Sequence, residues 1–281
     1  MGKELEIWLD RAEKDWLDTL YLHAEQLFRG SSLPSHDHTH HLRVWNLCKE
    51  LLREISAFNE GVDQLLVEGV LIAAFFHDLG MTGSLSEEHG RLGSELCRKW
   101  FEDHDRNPPV NFPEILRAIE LHDRKGESLF APFRPGVPPG ILGILTVADD
   151  LEALGTIGIF RYAEIYLRRG IPLEELGNRV LANALSRFET FREGCSLCPG
   201  LIRKYRSQYE ELYCFFTEYN VQLRSVSRPQ DVLIGPLGVI NYIRIADQDP
   251  GRPDPGKGDG IPETLKDYFN TLKHELDQAR I

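Results

Sequence analysis

The sequence predicts an all-α protein, and three observations carry that reading. Apolar residues recur at helical spacing through most of the chain. Gly, Pro and Ser clusters cut that pattern into helix-length pieces. One stretch, 62–79, is apolar on most sides, as expected of a helix at the centre of a helical core.

The elements follow in order. "ELEIWLDRAEKDWLDTLYLHAEQLF" (4–28) is amphipathic, with Leu5, Leu9, Ala12, Trp16, Leu20 and Ala24 near one face. Gly30, Ser31 and Ser32 end it. Pro34 and Ser35 lead into a second helix, capped at Asp37 or Thr39 and running to about 58. The apolar rod 62–79 is the third. Ser84 with Glu87 reads as a capping box that opens a fourth, to about 104. "NPPVNFPE" is a loop opening a fifth, 113–122, and "KGESLFAPFRPGVPPG" is an exposed loop. Further helices are expected at 141–154, 157–168, 173–191 and 201–220.

The composition changes after Leu223, so the expected organisation is a helical body over 1–220 and a C-terminal region over 221–281. In the latter, "SVSRPQDVLIGPLGVINYIRIADQ" reads as a short strand or an arm, and "DPGRPDPGKGDGIP" as a linker. A last amphipathic helix, 264–279, packs either on the body or on a second subunit. That arrangement suits a homodimer.

Bulk properties exclude some functions. The chain has 281 residues, 42% hydrophobic and 27% charged, with a formal net charge of -12. That balance argues against general nucleic-acid binding, though not against a local basic pocket. The first residues, "MGKELEIWLDRAEKDW", contain no apolar core of a signal peptide. The longest apolar runs, 65–76 and 141–148, are shorter than a bilayer requires. The expectation is a cytoplasmic protein without membrane association. Five cysteines at this length suggest reduced thiols. Cys195 and Cys198 form a lone CxxC, weak evidence for zinc or redox chemistry.

Eight of the ten histidines lie between positions 36 and 122. Several fall on apolar stripes. The stripe Val44, Leu47, Leu51, Ile55 steps back one turn to His40, with His41 on its shoulder. His77 and Asp78 end the apolar rod. Leu92, Leu96 and Trp100 step back to His89. Ile115 and Ile119 lead to His122, and Leu142 and Leu145 to Asp149, with Asp150 on the more polar side. Each places an imidazole or carboxylate where the pattern asks for a core residue. One unpaired buried polar group costs roughly 2–7 kcal/mol, and a charge costs more. A single inward histidine is usually a hydrogen-bonded core residue. Five helices doing this together are explained at once by a shared divalent cation, since neutral imidazole and carboxylate are its ligands. His23 and His274 read as ordinary core or surface residues, and His104 as a solvated cap.

The joint pattern resembles the HD-domain superfamily of metal-dependent phosphohydrolases. "HDHTHHLRVW" resembles its opening segment, with His40 in the His-x-x-Arg-Val position. "AAFFHDLG" resembles the central His77-Asp78 pair, and "ILTVADDLEALGTIG" the closing segment with Asp149. The match is nearest to the bacterial single-domain branch and covers about 20–190. It implies an HD-type helical bundle, with His40, His77, Asp78 and Asp149 as metal ligands. "HGRLGSEL" and "ELHDRKG" are similar to segments of binuclear members such as the HD-GYP phosphodiesterases. That likeness implies that His89 and His122 are second-metal ligands or phosphate donors. The Gly-Tyr-Pro signature is absent, only one histidine stands at the second place, and Met81 replaces a lysine common after His-Asp-x-Gly. A cyclic di-GMP phosphodiesterase of that type is not expected.

The resemblance implies one or two divalent ions (Mn, Fe, Ni, Co, Mg or Zn) and a small-molecule phosphoester substrate, a nucleotide or related compound. Asp78 is a candidate bridging or water-orienting carboxylate, with Asp150 and Arg43 beside the ligands. His36, His89 and His122 are candidates to bind phosphate or protonate the leaving oxygen. Arg43, Arg91 and Arg124 are candidate phosphate clamps, though each taken singly reads first as a solvated arginine. Two other functions compete: a ligand-binding regulatory module without turnover, and a di-iron oxygenase.

Overall fold

The computed structural model describes residues 2–31, 33–86, 88–124, 132–248 and 262–278. Among them every regular element is helical, and the single β-bridge joins Arg134 and Val137. Packing divides the chain into two compact units. One comprises Met1–Glu152 with Glu189–Ile202, the other Ala153–Phe188 with Arg203–Ile281. Composition marks a change near 220. Packing divides the chain elsewhere, because the helices after 221 share a core with 155–188.

The first unit begins with α1 (Gly2–Ala12), a π-helical turn at Glu13–Leu17, and α2 (Asp18–Phe28). The expected stripe, Leu5 to Ala24, is buried throughout. The π turn is anchored at Glu13, whose Oε1 accepts from Trp45 Nε1 (2.8 Å) and Lys49 Nζ (2.6 Å). α3 (His38–Ser56) starts at Asp37, whose Oδ1 accepts from the amides of Thr39 (2.9 Å) and His40 (3.3 Å). Asp63 caps α4 (Gln64–Phe76) in the same way. α4 is the apolar rod, and every residue from Leu66 to Phe76 except Glu68 is buried.

Here the structure corrects some boundaries. α4 stops at Phe76, not near Leu79. His77 and Asp78 lie just past its end, and a 3-10 turn follows at Leu79–Thr82. With that turn, Gln64–Thr82 is a 19-residue apolar stretch, long and apolar enough to span a bilayer, although the sequence expectation was that it is too short. Burial of 83% of it marks it as a core helix. α5 (His89–Asp103) starts at Glu88 without a side-chain cap, so Ser84 does not cap it; the Ser84 hydroxyl meets Ser86 instead. Glu87, the other half of the expected box, lies outside the described residues, as do 125–131 of the expected loop and 249–261 of the expected linker. α6 (Phe112–Leu121) and α7 (Ile141–Glu152) complete the site-bearing helices.

The second unit holds α8 (Gly155–Arg168), most of α9 (Leu173–Gly194) and α10 (Pro199–Ser225), then α11 (Gly235–Gln248) and α12 (Glu263–Gln278). Its core gathers Ile159, Leu176, Leu212, Phe216, Leu237 and Leu265. The segment expected as a strand or arm is a short 3-10 turn at Pro229–Asp231 followed by α11. Its β-branched residues favour a strand locally, but Leu237, Ile240 and Ile243 recur at helical spacing and fill the core. α12 packs on α8 and α11 of the same chain.

Candidate metal centre

Five helices of the first unit deliver buried polar side chains to one place. α3 brings His40 and α7 brings Asp149. The turn after α4 brings His77 and Asp78. His89 opens α5, and His122 closes α6. All six are at most 4% exposed. Two glycines permit this convergence. A Cβ on Gly80 would stand 2.0 Å from the His89 carbonyl oxygen, and one on Gly93 would stand 2.6 Å from that of Phe76. The start of α5 therefore lies directly on the His77-Asp78 turn, which brings His89 to Asp78.

The six residues form two clusters that share Asp78: His40, His77, Asp78 and Asp149, and then Asp78, His89 and His122. Within each, the candidate donor atoms lie within 4.8 Å of one another. The carboxylate divides its oxygens. Asp78 Oδ2 is 3.3 Å from His40 Nε2 and 3.5 Å from His77 Nε2. Asp78 Oδ1 is 3.2 Å from His122 Nε2 and 3.4 Å from His89 Nε2. Asp149 Oδ1 is 3.9 Å from both His40 Nε2 and His77 Nε2.

The far ring nitrogens explain why Nε2 always points inward. His77 Nδ1 donates to the Ala74 carbonyl (2.9 Å), His89 Nδ1 to that of Ser86 (2.7 Å) and His122 Nδ1 to that of Ile119 (2.8 Å). A carbonyl oxygen only accepts, so each Nδ1 carries a proton and Nε2 is left for the cluster. His40 Nδ1 faces Glu152 Oε2 at 3.3 Å. His40 Nε2 meets His77 Nε2 at 3.1 Å, beside the carboxylates of Asp78 and Asp149. That set of converging acceptors fits a divalent cation of the imidazole-and-carboxylate class.

Electrostatics agree. Burial pushes His77 down to about 3, so its ring stays neutral. Burial also opposes charge on His122, but Asp78, hydrogen-bonded to it, with Asp123 and Asp149 nearby, outweighs this and raises it to about 9. Burial alone would raise Asp78; His77 and the other imidazoles around it hold it well below the usual carboxylate range. Protonated His122 donates from Nε2 to Asp78 Oδ1 at 3.2 Å.

Other expected residues lie around this core. His36 is buried and stays outside both clusters; its Nδ1 meets Ser35 Oγ at 2.6 Å, and its ring lies 5.3 Å from that of His40. Asp150, placed by periodicity on the polar side, is buried at 7% exposure, because α7 is covered nearly all round. Arg43 is committed inward, Nε to Glu152 Oε1 (2.5 Å) and Nη1 to Thr39 Oγ1 (2.8 Å). Arg91 and Arg124 are exposed and pair with Glu95 and Glu120 one turn away, as solvated arginines do. Leu92 and Leu96 are only partly buried; Gly93, Cys97 and Trp100 form the inner face of α5 instead.

Two features escaped the sequence reading. Glu152 is buried and faces both His40 and Arg43; its signal was that Asp149 and Glu152 repeat the three-residue spacing of His40 and Arg43. Asp123, 25% exposed, stands 4.0 Å from His89 Nε2 at the edge of the cluster. His41, expected on the shoulder of the α3 stripe, is fully buried and donates from Nδ1 to the same Ala74 carbonyl as His77 (3.0 Å). Burial holds it well below its ordinary value, as expected of a packed core imidazole. Cys195 and Cys198 are buried free thiols that belong to neither cluster.

Searches of curated proteins and of solved structures return no match to the chain. The HD-domain family matches residues 38–154, the segment that spans α3 to α7 and carries both clusters. That segment is therefore similar to the HD domain, a family of generally metal-dependent hydrolases, and it carries the buried His/Asp clusters that could hold a metal.

Proposed function

We propose that the protein hydrolyses a phosphoester of a nucleotide or similar small molecule with water activated at a centre of two divalent ions. The observation that carries this reading is the shared Asp78 carboxylate, each oxygen faced by two imidazole Nε2 atoms. His40, His77, Asp78 and Asp149 would hold one ion, and Asp78, His89 and His122 the other. When bound, such ions supply Lewis acidity to a phosphoryl oxygen and lower the pKa of water toward neutrality.

The chain's own groups do the rest. The apolar wall of α4 and α7 limits water around the ligands. The Nδ1 contacts fix each ring so that no reorientation is needed during reaction. Asp123 is the partly exposed carboxylate next to His89, suited to hold or pass a proton at the solvent side. His36, with Ser35 on its Nδ1, is the candidate to protonate a leaving oxygen. The formal net charge of -12 favours a small substrate over a nucleic-acid polymer.

The test is a panel of phosphomonoesters and phosphodiesters, including deoxynucleoside monophosphates, guanosine tetraphosphate and cyclic nucleotides. It is run on protein loaded in turn with Mn²⁺, Co²⁺, Ni²⁺, Fe²⁺ and Mg²⁺. Metal-dependent release of phosphate or nucleoside is expected. Bound ions without turnover of any member would favour a regulatory module, and oxygen consumption by the iron form alone would favour an oxygenase.

A further inference from the structure

The four imidazoles facing Asp78 are not oriented alike. For His77, His89 and His122, the acceptor on Nδ1 is the carbonyl three residues earlier in the chain. No substitution removes a backbone carbonyl. His40 differs. It lies in the first turn of α3, its amide is spent on the cap at Asp37, and its Nδ1 faces a side chain from another helix, Glu152 of α7.

We propose that Glu152 is a positioning residue, whose carboxylate fixes His40 with its proton on Nδ1 and its lone pair on Nε2, facing His77, Asp78 and Asp149. This rests on the metal centre described above and names what orients one of its ligands.

Glu152 is itself held. Its side chain is 3% exposed, so its charge requires a partner. Arg43 supplies one through Nε at 2.5 Å. Arg43 is anchored at its other end, where Nη1 donates to Thr39 Oγ1 (2.8 Å) and Thr39 Oγ1 donates to Asp37 Oδ1 (2.6 Å). Asp37 is the cap of α3. A continuous chain of polar contacts therefore runs from the helix cap through Thr39, Arg43 and Glu152 to the His40 ring. The spacing makes this economical. His40 and Arg43 are three apart on α3, and Asp149 and Glu152 three apart on α7, so one helix face presents a ligand and its orienter together.

The chemistry demands a carboxylate. Two donors, Arg43 Nε–H and His40 Nδ1–H, require two acceptor oxygens at one residue. A glutamine has one oxygen and one NH₂ group. With its oxygen turned to the buried guanidinium, its NH₂ faces His40 Nδ1. The imidazole then carries its proton on Nε2 and loses the lone pair offered to the cluster.

The experiment uses Glu152→Gln in the full chain. Where the changed pairing of the guanidinium prevents folding, Arg43→Met/Glu152→Leu removes that charge and leaves His40 Nδ1 no acceptor at position 152. Long-range ¹H–¹⁵N spectra of metal-free protein report the His40 tautomer, which a purely structural role would not move. A shift from Nδ1–H toward Nε2–H is expected. Titration with Co²⁺ or Mn²⁺ should show one ion weakened about 10- to 100-fold, the usual effect of losing a ligand's outer partner. The second ion, identified by its loss in His89→Ala, should bind as in the unaltered protein. An unchanged His40 tautomer with both ions at unaltered affinity overturns the inference and leaves the metal centre standing. An unaltered protein that binds no divalent ion overturns both.

Discussion

The two units of this molecule bury polar groups in opposite ways. In the second unit, buried donors pair with acceptors of their own core. Tyr162 Oη donates to Asn183 Oδ1 and Tyr219 Oη to the Leu173 carbonyl. Asn241, fully buried, donates to the carbonyls of Pro229 (2.7 Å) and Val232 (2.9 Å). Such pairs satisfy themselves and hold the α11 entry in place. In the first unit, acceptors converge on acceptors: four imidazole nitrogens around one carboxylate, with a second carboxylate behind. Complementary burial is structure. Convergent burial of like groups stores a demand that only something from outside, a proton or a cation, can meet.

The strongest test of this contrast is Asp78→Ala. It removes the group common to both clusters, so both ions and all metal-dependent turnover should be lost while the far-ultraviolet circular dichroism stays helical. Metal content equal to that of the unaltered protein would end the assignment. The matching test in the second unit is Phe216→Ala, at a fully buried core position. A cavity there should cost about 3–5 kcal/mol in denaturant unfolding. Native Phe216→Ala protein should bind as many ions as before, and loss of metal would break the separation of roles.

Asn241→Ala should cost less, about 1–3 kcal/mol, because two buried carbonyls lose their donor. A neutral result would mean that water replaces the amide, and that this part of the second unit leans on solvent rather than on its own donors.

The finest test is a proton count. The His122 contact raises its pKa from 6.5 to about 9 in protein without an ion. A raised value means that the protonated contact stabilises the fold fully below pH 6.5, and that this contribution is lost as pH rises through about 9. A cation on His122 must displace that proton. Calorimetric titration with Mn²⁺ near pH 7.5, in buffers of different ionisation enthalpy, should register release of up to about one proton per protein. Affinity at that position should rise with pH until about 9. Heats independent of the buffer would show that His122 is not displaced.

Much of this was legible in residue order. Helical spacing found the helices of the first unit to within a few residues. The stripes leading to His40, His89, His122 and Asp149 predicted inward side chains, and all are buried. The reading was weaker where local signals compete with packing. Ser84 looked like a cap, yet α5 begins five residues later at His89, because Gly80 and Gly93 let its first turn settle against the His77-Asp78 turn. The β-branched run 232–243 looked strand-like, yet a core shared with α8 and α12 made it helical.

By itself the sequence determined the helical class and the inward stripes, because periodicity depends only on neighbours along the chain, and its likeness to HD-domain segments named the six side chains as candidates. Tertiary structure alone decided that Asp78 serves both clusters, that Arg43 turns inward, and that Glu152 orients His40. Those facts depend on distances between residues far apart in the chain, up to 109 positions for Arg43 and Glu152. No local pattern encodes them; they arise only when packing of α3 against α7 fixes the separation of charges that water would otherwise screen.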